Sequence, residues 1–200
     1  MKTLGIIGGI GSGKSTAAEF FRQLDAAIIK VDDIGHQVLR LSKIKESAQQ
    51  RWGDSVFSTD GEIDRRKLAA VVFADENELA FLKNLTHPLI AEEVLQQRKK
   101  IEHSSVQLCL LDAPLLIESG WEYLVDVIIF VSAPVEVRWE RIKSRGWSET
   151  EWKQRESAQL PVEKKSRRAD VVLDNSGDVE HLRSQVETLV RKFVYTPARQ

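Results

Sequence analysis

Four glycines, a lysine and two hydroxyl residues stand close together near the start of the chain. The stretch GGIGSGKS, residues 8–15, fits the pattern G-x-x-x-x-G-K-S/T and lies between an apolar run and an amphipathic stretch. Glycines let the backbone curl so that its N–H groups point at phosphate oxygens, and the N-terminus of the following helix adds a favourable dipole. We therefore predict a nucleotide-phosphate site here rather than a glycine-rich turn without a ligand.

The side chains of this stretch are expected to bind ATP and its metal. Lys14 should reach the β- and γ-phosphates, and the Ser15 hydroxyl should bind Mg²⁺. We also predict Lys14 to be catalytic, because its charge is needed most as phosphate charge redistributes. The residues predicted to bind ATP are Gly8, Gly9, Gly11, Ser12, Gly13, Lys14, Ser15 and Thr16.

Carboxylates follow two further apolar runs. Asp32 and Asp33 come directly after the run 27–31, where a carboxylate can orient or deprotonate an acceptor hydroxyl. Aspartate is also a preferred N-cap, so one member of the pair can cap a helix while the other acts as the base. Asp112 ends another apolar run, and we predict it as a metal-binding residue together with Ser15. No glutamate follows Asp112, which favours transfer to a bound acceptor over hydrolysis.

The segment 138–168 has a strong local positive charge. It carries ten lysines and arginines against five glutamates, whereas the formal charge of the chain is −1. Arg141 and Arg145 are spaced i,i+4, so both are expected on one helix face. We predict a cationic lid in which Arg141 is catalytic and Arg145 binds ATP, and the alternative is a solvated basic helix face. The segment also contains three tryptophans that we expect to be packing anchors: Trp139, Trp147 and Trp152.

These residues need a scaffold, and five short apolar runs indicate one. The runs are 3–7, 27–31, 106–111, 127–131 and 171–173. Runs without a polar alternation are typical of strands in a parallel sheet that is covered on both faces. Helical patterns between the runs indicate right-handed crossovers, so we predict an α/β fold with a doubly wound five-stranded parallel sheet.

About 75 residues separate the second apolar run from the third. Their patterns predict helices over 34–47, 65–73, 76–85 and 88–100, with Pro88 in the first turn of the last helix. A crossover of this length must form a subdomain or lid beside the sheet.

Composition excludes several classes of protein. A single cysteine and four scattered histidines offer neither an internal disulfide nor a zinc cluster. No apolar run approaches the roughly 18 residues of a membrane helix, and the first run is too short for a signal peptide. We expect a soluble cytoplasmic protein, favoured as a monomer, without a membrane or nucleic-acid partner.

Several stretches of the chain, in order, resemble those of the dephospho-coenzyme A kinase family. They are GGIGSGKST (8–16), VDDIGHQV (31–38), GEIDRRKL (61–68), LTHPLI (85–90), LDAPLLIESG (111–120), ERIKSRG (140–146), AQ (158–159) and ADVVLDNSG (169–177). Only the first is a widely shared motif, but the order and spacing of the set are specific. The resemblance runs from position 4 to about position 189.

The resemblance implies a P-loop kinase fold in one domain, 1–200, with a helical acceptor-binding insertion at 33–105 and a lid at 138–168. It implies transfer of the γ-phosphate of ATP, with Mg²⁺, to the ribose 3′-hydroxyl of dephospho-CoA, which is the last step of coenzyme A synthesis. The lid assignment includes Arg141 and Arg145.

The resemblance also assigns individual roles. Asp32 matches the second aspartate of the family's D-A-D stretch and is implied to be the catalytic aspartate. Lys30 stands where the family has the first aspartate, so Asp33 remains a rival for the base. Asn175 is implied to lie near the adenine of ATP.

Two other classes of function remain open. A shikimate or nucleoside-monophosphate type of kinase would share the fold, the phosphate loop and a lid. A non-catalytic nucleotide switch would bind nucleotide and a partner protein, although the chain lacks the N-K-x-D stretch of guanine-specific switches.

Overall fold

A five-stranded parallel sheet forms the centre of the structure, a computed structural model that describes residues 1–194. The strand order is β2-β3-β1-β4-β5. The strands are β1 (Lys2–Gly8), β2 (Ala27–Lys30), β3 (Leu108–Asp112), β4 (Val127–Ser132) and β5 (Val171–Asp174). Each strand coincides with a predicted apolar run to within two residues, which confirms the predicted α/β fold with its doubly wound sheet.

The described residues form nine α-helices. They are α1 (Lys14–Gln23), α2 (Val31–Val38), α3 (Ser42–Trp52), α4 (Arg65–Val72), α5 (Glu76–Glu102), α6 (Val135–Lys143), α7 (Glu149–Ser157), α8 (Val162–Arg167) and α9 (Val179–Val194). None of these helices is long and apolar enough to cross a membrane.

The sheet buries side chains on both of its faces. Leu4 and Ile6 of β1 are fully buried in a cluster that includes apolar residues of α1 and α9. Because side chains alternate along a strand, Gly5 faces the opposite side of the sheet. There a Cβ on Gly5 would lie 2.8 Å from the Leu116 side chain, so glycine permits the close approach of the segment that follows β3.

Three of the four helices predicted for the long crossover are wrong in extent, whereas the helix predicted over 65–73 is confirmed as α4. The predicted helix over 34–47 is two helices, α2 and α3, which are separated by a turn at 39–41. The helices predicted at 76–85 and 88–100 are one continuous helix, α5, with Pro88 in its interior. Proline cannot donate to the Asn84 carbonyl, which costs the helix about 3 kcal/mol. Burial of the α5 face formed by Thr86, Ile90, Ala91 and Val94 offsets this cost.

The chain divides into two compact units. One unit comprises residues 1–30 and the described residues from 97 onward, and it contains the sheet. The other unit comprises residues 31–96, which form α2, α3, α4 and most of α5. It has its own apolar core, which consists of Ala48, Val56, Leu68 and Val72 together with partly buried neighbours.

Candidate active site

The glycine-rich loop joins β1 to α1 and folds around the ammonium group of Lys14. Gly11 and Gly13 have φ angles of 83° and 96°, in the left-handed region that favours glycine. Lys14 Nζ donates to the carbonyl oxygens of Gly8 at 3.0 Å and Gly9 at 3.1 Å. The ammonium group is therefore held over the loop, where a compact cation can attract phosphate oxygens.

Close packing is a second reason for the glycines. A Cβ on Gly13 would lie 2.0 Å from Nδ2 of Asn175. A Cβ on Gly11 would lie 2.7 Å from the Arg138 carbonyl oxygen, and one on Gly9 would lie 2.7 Å from Arg138 Nη1. Phosphate contact was the only reason for these glycines that the sequence suggested, whereas the structure shows that α6 and the end of β5 lie directly against the loop.

Asn175 and Arg141 join the loop to the ends of β4 and β5. The Asn175 N–H donates to the Ser132 carbonyl at 2.8 Å, and its side-chain Nδ2 donates to the Ser12 carbonyl at 2.7 Å. Arg141 donates to the carbonyl oxygens of Asn175 at 3.0 Å, Ser12 at 3.3 Å and Gly11 at 3.5 Å. The structure thus brings the two predicted site residues, Asn175 and Arg141, to the phosphate loop.

Arg138 is a site residue that the sequence analysis missed. Its side chain is buried, Nη1 donates to the Ile10 carbonyl at 3.3 Å, and the same nitrogen forms an ion pair with Glu156 of α7. The guanidinium carbon lies 5.3 Å from the centre of the Trp152 ring. The only signal in the sequence was its spacing, because a residue three positions before Arg141 shares its helix face.

Arg145 does not share a helix face with Arg141, so that prediction is wrong. Helix α6 ends at Lys143, and Arg145 lies in the following turn, where its N–H donates to the Ile142 carbonyl at 3.0 Å. The side chain of Arg145 is exposed. The i,i+4 spacing therefore failed because the helix stops two residues before Arg145.

The tryptophans of the basic segment pack against neighbouring side chains. The rings of Trp139 in α6 and Trp152 in α7 stack with 5.5 Å between their centroids, and Trp152 is buried. Trp147 lies under the guanidinium group of Arg155 at 4.2 Å. The predicted role of these residues as packing anchors is confirmed for the stacked pair.

A buried lysine is another residue that the sequence did not single out. Lys165 of α8 is 1% exposed and forms an ion pair with Glu118 at 2.7 Å. Its ammonium group also donates to the Pro114 carbonyl at 3.0 Å and to Oε1 of Gln159 at 2.9 Å. These bonds connect α8 to the segment that follows Asp112.

The predicted metal-binding residues lie at the carboxyl ends of strands and at the start of α1. Asp112 ends β3 and pairs in register with Ile6 of β1 and Lys30 of β2. Ser15 and Thr16 are exposed in the first turn of α1. Across residues 1–194, no group of three or more histidine, cysteine, aspartate or glutamate side chains is arranged to hold a metal ion.

Asp32 and Asp33 both lie inside a helix. Helix α2 begins at Val31, directly after β2 in the chain, so both aspartates are exposed in its first turn. The expectation that one of the two caps a helix is therefore wrong, because the helix predicted to begin at residue 34 begins at Val31 and includes both aspartates. Adjacent residues of an α-helix point about 100° apart, so the two carboxylates face different directions.

Comparison with known proteins gives the same family along almost the whole chain. A family model described as dephospho-CoA kinase matches residues 2–181. A dephospho-CoA kinase of Aquifex aeolicus is 37% identical, and the alignment covers 98% of this chain and 100% of that protein.

Two solved structures align with almost the whole chain. The Thermus thermophilus protein TT1252 has a TM-score of 0.83 and 32% identity, over 96% of this chain and 98% of that one. A dephospho-CoA kinase of Campylobacter jejuni has a TM-score of 0.72 and 26% identity, over 96% and 97% of the two chains.

Proposed function

The chain belongs to the dephospho-CoA kinase family, and we propose that it transfers the γ-phosphoryl group of ATP to the ribose 3′-hydroxyl of dephospho-CoA. It is a kinase, and its product is coenzyme A. The observation that carries the proposal is the glycine loop with Lys14 held over it, in a chain that matches this family from residue 2 to residue 181.

The phosphates of ATP bind at the glycine loop. Backbone N–H groups of the loop and the N-terminus of α1 donate to phosphate oxygens, with Gly9, Gly11, Ser12 and Gly13 forming the turn. Lys14 exchanges its two carbonyl acceptors for β- and γ-phosphate oxygens. Its charge then stabilises the transferring phosphoryl group more strongly than the bound substrate.

Mg²⁺ accompanies the nucleotide. The Ser15 hydroxyl and the Asp112 carboxylate suit this ion, because both are hard oxygen ligands. Mg²⁺ usually binds one or two protein ligands and is otherwise coordinated by phosphate oxygens and water. Mg²⁺ bound there neutralises charge on the transferring phosphate.

Asp32 orients the acceptor hydroxyl and takes its proton. The 3′-oxygen forms a bond to the γ-phosphorus while the bond from that phosphorus to the bridging oxygen breaks, and ADP leaves. A ribose hydroxyl is a weak acid and the transition state is loose, so the proton moves late to the carboxylate. Asp33 remains the alternative base, because the family's first aspartate is replaced here by Lys30.

The remaining assignments concern the lid and the acceptor region. The segment 138–168 acts as the lid, in which Arg141 stabilises the transition state and Arg145 binds ATP. Asn175 lies near the adenine, and the helical region 33–105 receives dephospho-CoA. Hydrogen bonds from Arg141 and Asn175 to the Ser12 carbonyl support the roles proposed for these two residues. We further propose that the protein acts as a cytoplasmic monomer without a nucleic-acid or membrane partner.

The test measures ADP release from ATP with each of several acceptors: dephospho-CoA, shikimate, nucleoside monophosphates and water. We expect turnover with dephospho-CoA, and phosphorus NMR of the product should place the new phosphate on the 3′-oxygen. Turnover with shikimate or a monophosphate but not with dephospho-CoA would support the other small-molecule kinases. Nucleotide binding without turnover on any acceptor would support a nucleotide switch.

A further inference from the structure

We propose that Arg138 is a positioning residue of the phosphate loop: it holds the Ile10 carbonyl so that the Gly11 N–H is turned toward the phosphates of ATP. Arg138 itself touches neither ATP nor the acceptor. The inference rests on the proposed binding of ATP at the glycine loop, but it does not depend on which acceptor is phosphorylated.

A carbonyl that is held in place also fixes the direction of the N–H group in the same peptide bond. A trans peptide is planar, so the C=O of one residue and the N–H of the next point in opposite directions, and the described chain contains no cis peptide. Arg138 Nη1 binds the Ile10 carbonyl at 3.3 Å, which directs the Gly11 N–H away from α6. Arg141 binds the Ser12 carbonyl at 3.3 Å and directs the Gly13 N–H in the same way.

The Ser12 N–H, which lies between those of Gly11 and Gly13 in the chain, forms a hydrogen bond within the loop. Ser12 donates its N–H to the Gly9 carbonyl at 3.1 Å, which fixes the turn from the inside. The two arginines, one helical turn apart on α6, hold the outer edge of the same turn. Preorganised backbone donors bind and stabilise phosphate charge best when they need no reorientation as the ligand binds.

Arg138 is itself held in place from several directions. Its side chain is buried, it pairs with Glu156, and it lies against the Trp152 ring. Nη1 also lies close to the Gly9 backbone, since a Cβ there would lie only 2.7 Å from it. A long side chain fixed in this way loses little further freedom when nucleotide binds.

Two other roles for the Arg138–Glu156 ion pair, attraction of phosphate by net charge and stabilisation of the fold, explain it less well. Glu156 neutralises Arg138, so the pair adds little net attraction for phosphate. A buried ion pair is also a weak source of stability, because apolar residues of similar volume often replace such pairs without loss. Moreover, Nε of Arg138 is buried without a hydrogen-bond partner among the described residues, which costs stability. A role in orienting the loop accounts for an arginine at this position.

The test uses variants that keep the net charge of the chain. Arg138→Met/Glu156→Leu removes the pair and leaves the Ile10 carbonyl without its donor. Arg183→Met/Glu180→Leu is the matched control, since it removes another arginine–glutamate pair of the same unit, which lies on α9 and outside the segment 138–168. Calorimetry measures the Kd for MgADP without acceptor, and thermal unfolding gives the Tm of each variant.

We expect the first variant to bind MgADP about 10-fold more weakly or worse, the scale for losing a residue that orients a ligating group. Its Tm should stay close to that of the unaltered chain, and the control should keep its MgADP affinity within about twofold. Hydrogen exchange of the peptide covering residues 8–14 should be faster in the first variant than in the control.

Unaltered MgADP affinity in the first variant would overturn the proposal. If that variant melts below the assay temperature, Arg138→Gln/Glu156→Gln replaces it, because two glutamines can hydrogen-bond to each other but glutamine is too short to reach the Ile10 carbonyl. The same loss of affinity is expected, and wild-type affinity would again overturn the role. A chain that binds MgADP but does not phosphorylate dephospho-CoA contradicts only the proposed function.

Discussion

The side chains that carry the proposed chemistry differ in how firmly the protein holds them. Arg138, Arg141 and Asn175 are fixed by hydrogen bonds to loop carbonyls or by an ion pair, whereas Ser15 and Asp32 are exposed. The first group shapes the loop before nucleotide binds. The second group has the freedom to meet a metal ion or an acceptor. Substitutions at the two groups should therefore affect different steps.

Replacing Lys14 by alanine should lower kcat/KM for ATP by at least about 10²-fold, the scale for losing one preorganised donor to a transition state. Lys14 has no role in the apolar core, so the Tm should change little. Lys192→Ala serves as a control, because Lys192 is an exposed lysine of α9 outside the segment 138–168. Near-normal turnover in a folded Lys14→Ala protein would contradict the assigned role.

Substitution of each aspartate by asparagine distinguishes Asp32 from Asp33 as the base. Asparagine is nearly isosteric but cannot accept the proton, so Asp32→Asn should lower kcat by roughly 10²–10⁴-fold, the range for loss of a general base. Asp33→Asn should change kcat little. Both residues are exposed in the first turn of α2, so neither change should lower the Tm strongly.

The two aspartate variants are compared side by side in the same assay. The reverse pattern would move the role to Asp33. Two active variants would show that neither carboxylate of this turn acts as the base.

The described helices differ in how their N-termini are capped. Helix α4 begins with an N-cap, since the Asp64 carboxylate accepts the N–H groups of Arg66 at 2.8 Å and Lys67 at 3.2 Å. Helix α1 begins at Lys14, and its N-cap residue, Gly13, has a left-handed backbone and offers no side-chain cap. Helix α4 of the unit 31–96 thus has a stabilising side-chain cap. Helix α1 has none at the N-terminus where we propose that phosphate binds.

Removal of the α4 cap should destabilise the protein without affecting the phosphate loop. Hydrogen bonds from the N–H groups of Lys67 and Arg66 lower the pKa of Asp64. The stabilisation is therefore present above pH 3.8, the ordinary value, and is lost as the pH falls through the lower pKa of the folded state. At neutral pH, Asp64→Ala should lower the Tm by about 2–4 °C.

Asp64→Asn is the matched control for this prediction, because asparagine caps helices as well as aspartate does but does not titrate. Thermal unfolding at several pH values checks both variants. A neutral-pH Tm of Asp64→Ala equal to that of the unaltered chain would show that the cap contributes nothing.

The core of the whole molecule's sheet contains a titratable side chain, the Cys109 thiol, that takes no part in the proposed chemistry. Cys109 lies in β3, next to β1 and β2 in the sheet, and is completely buried. Burial raises the pKa of its thiol to about 11, and Arg98 opposes this effect in part. A protonated, inaccessible thiol is chemically inert while the fold is intact.

The Cys109 thiol should therefore report global unfolding. Ellman's reagent should not react with the native protein at pH 8 and should react fully in denaturant. Between pH 9 and about pH 11 the unfolded chain loses the thiol proton while the folded chain keeps it, so the free energy of unfolding should fall as the pH rises.

Cys109→Ala removes the contribution of the thiol to the pH dependence. The free energy of unfolding of the variant should therefore fall less steeply with pH in that interval than that of the unaltered chain. Denaturant unfolding at each pH gives both slopes. Rapid reaction of the native thiol at pH 8 would show that β3 is accessible and would contradict the buried assignment.

Local pattern was sufficient for the strands and the phosphate loop. Strand ends were predicted to within two residues because a strand buried on both faces needs a short apolar run, which is a property of neighbouring residues. The glycine loop was recognisable for the same reason, since its chemistry requires a fixed order of residues between a strand and a helix. Family membership followed from the order of such local stretches along the chain.

The tertiary structure alone decided how the loop is held and where the helices end. Arg138 binds Ile10 across 128 positions of the chain, and Asn175 binds Ser12 across 163. No local pattern signals such partners, because the energy of a contact depends on distance in space and not on separation in sequence. Pro88 inside α5 is a similar case: local propensity stops the helix, but burial of its apolar face favours continuing it.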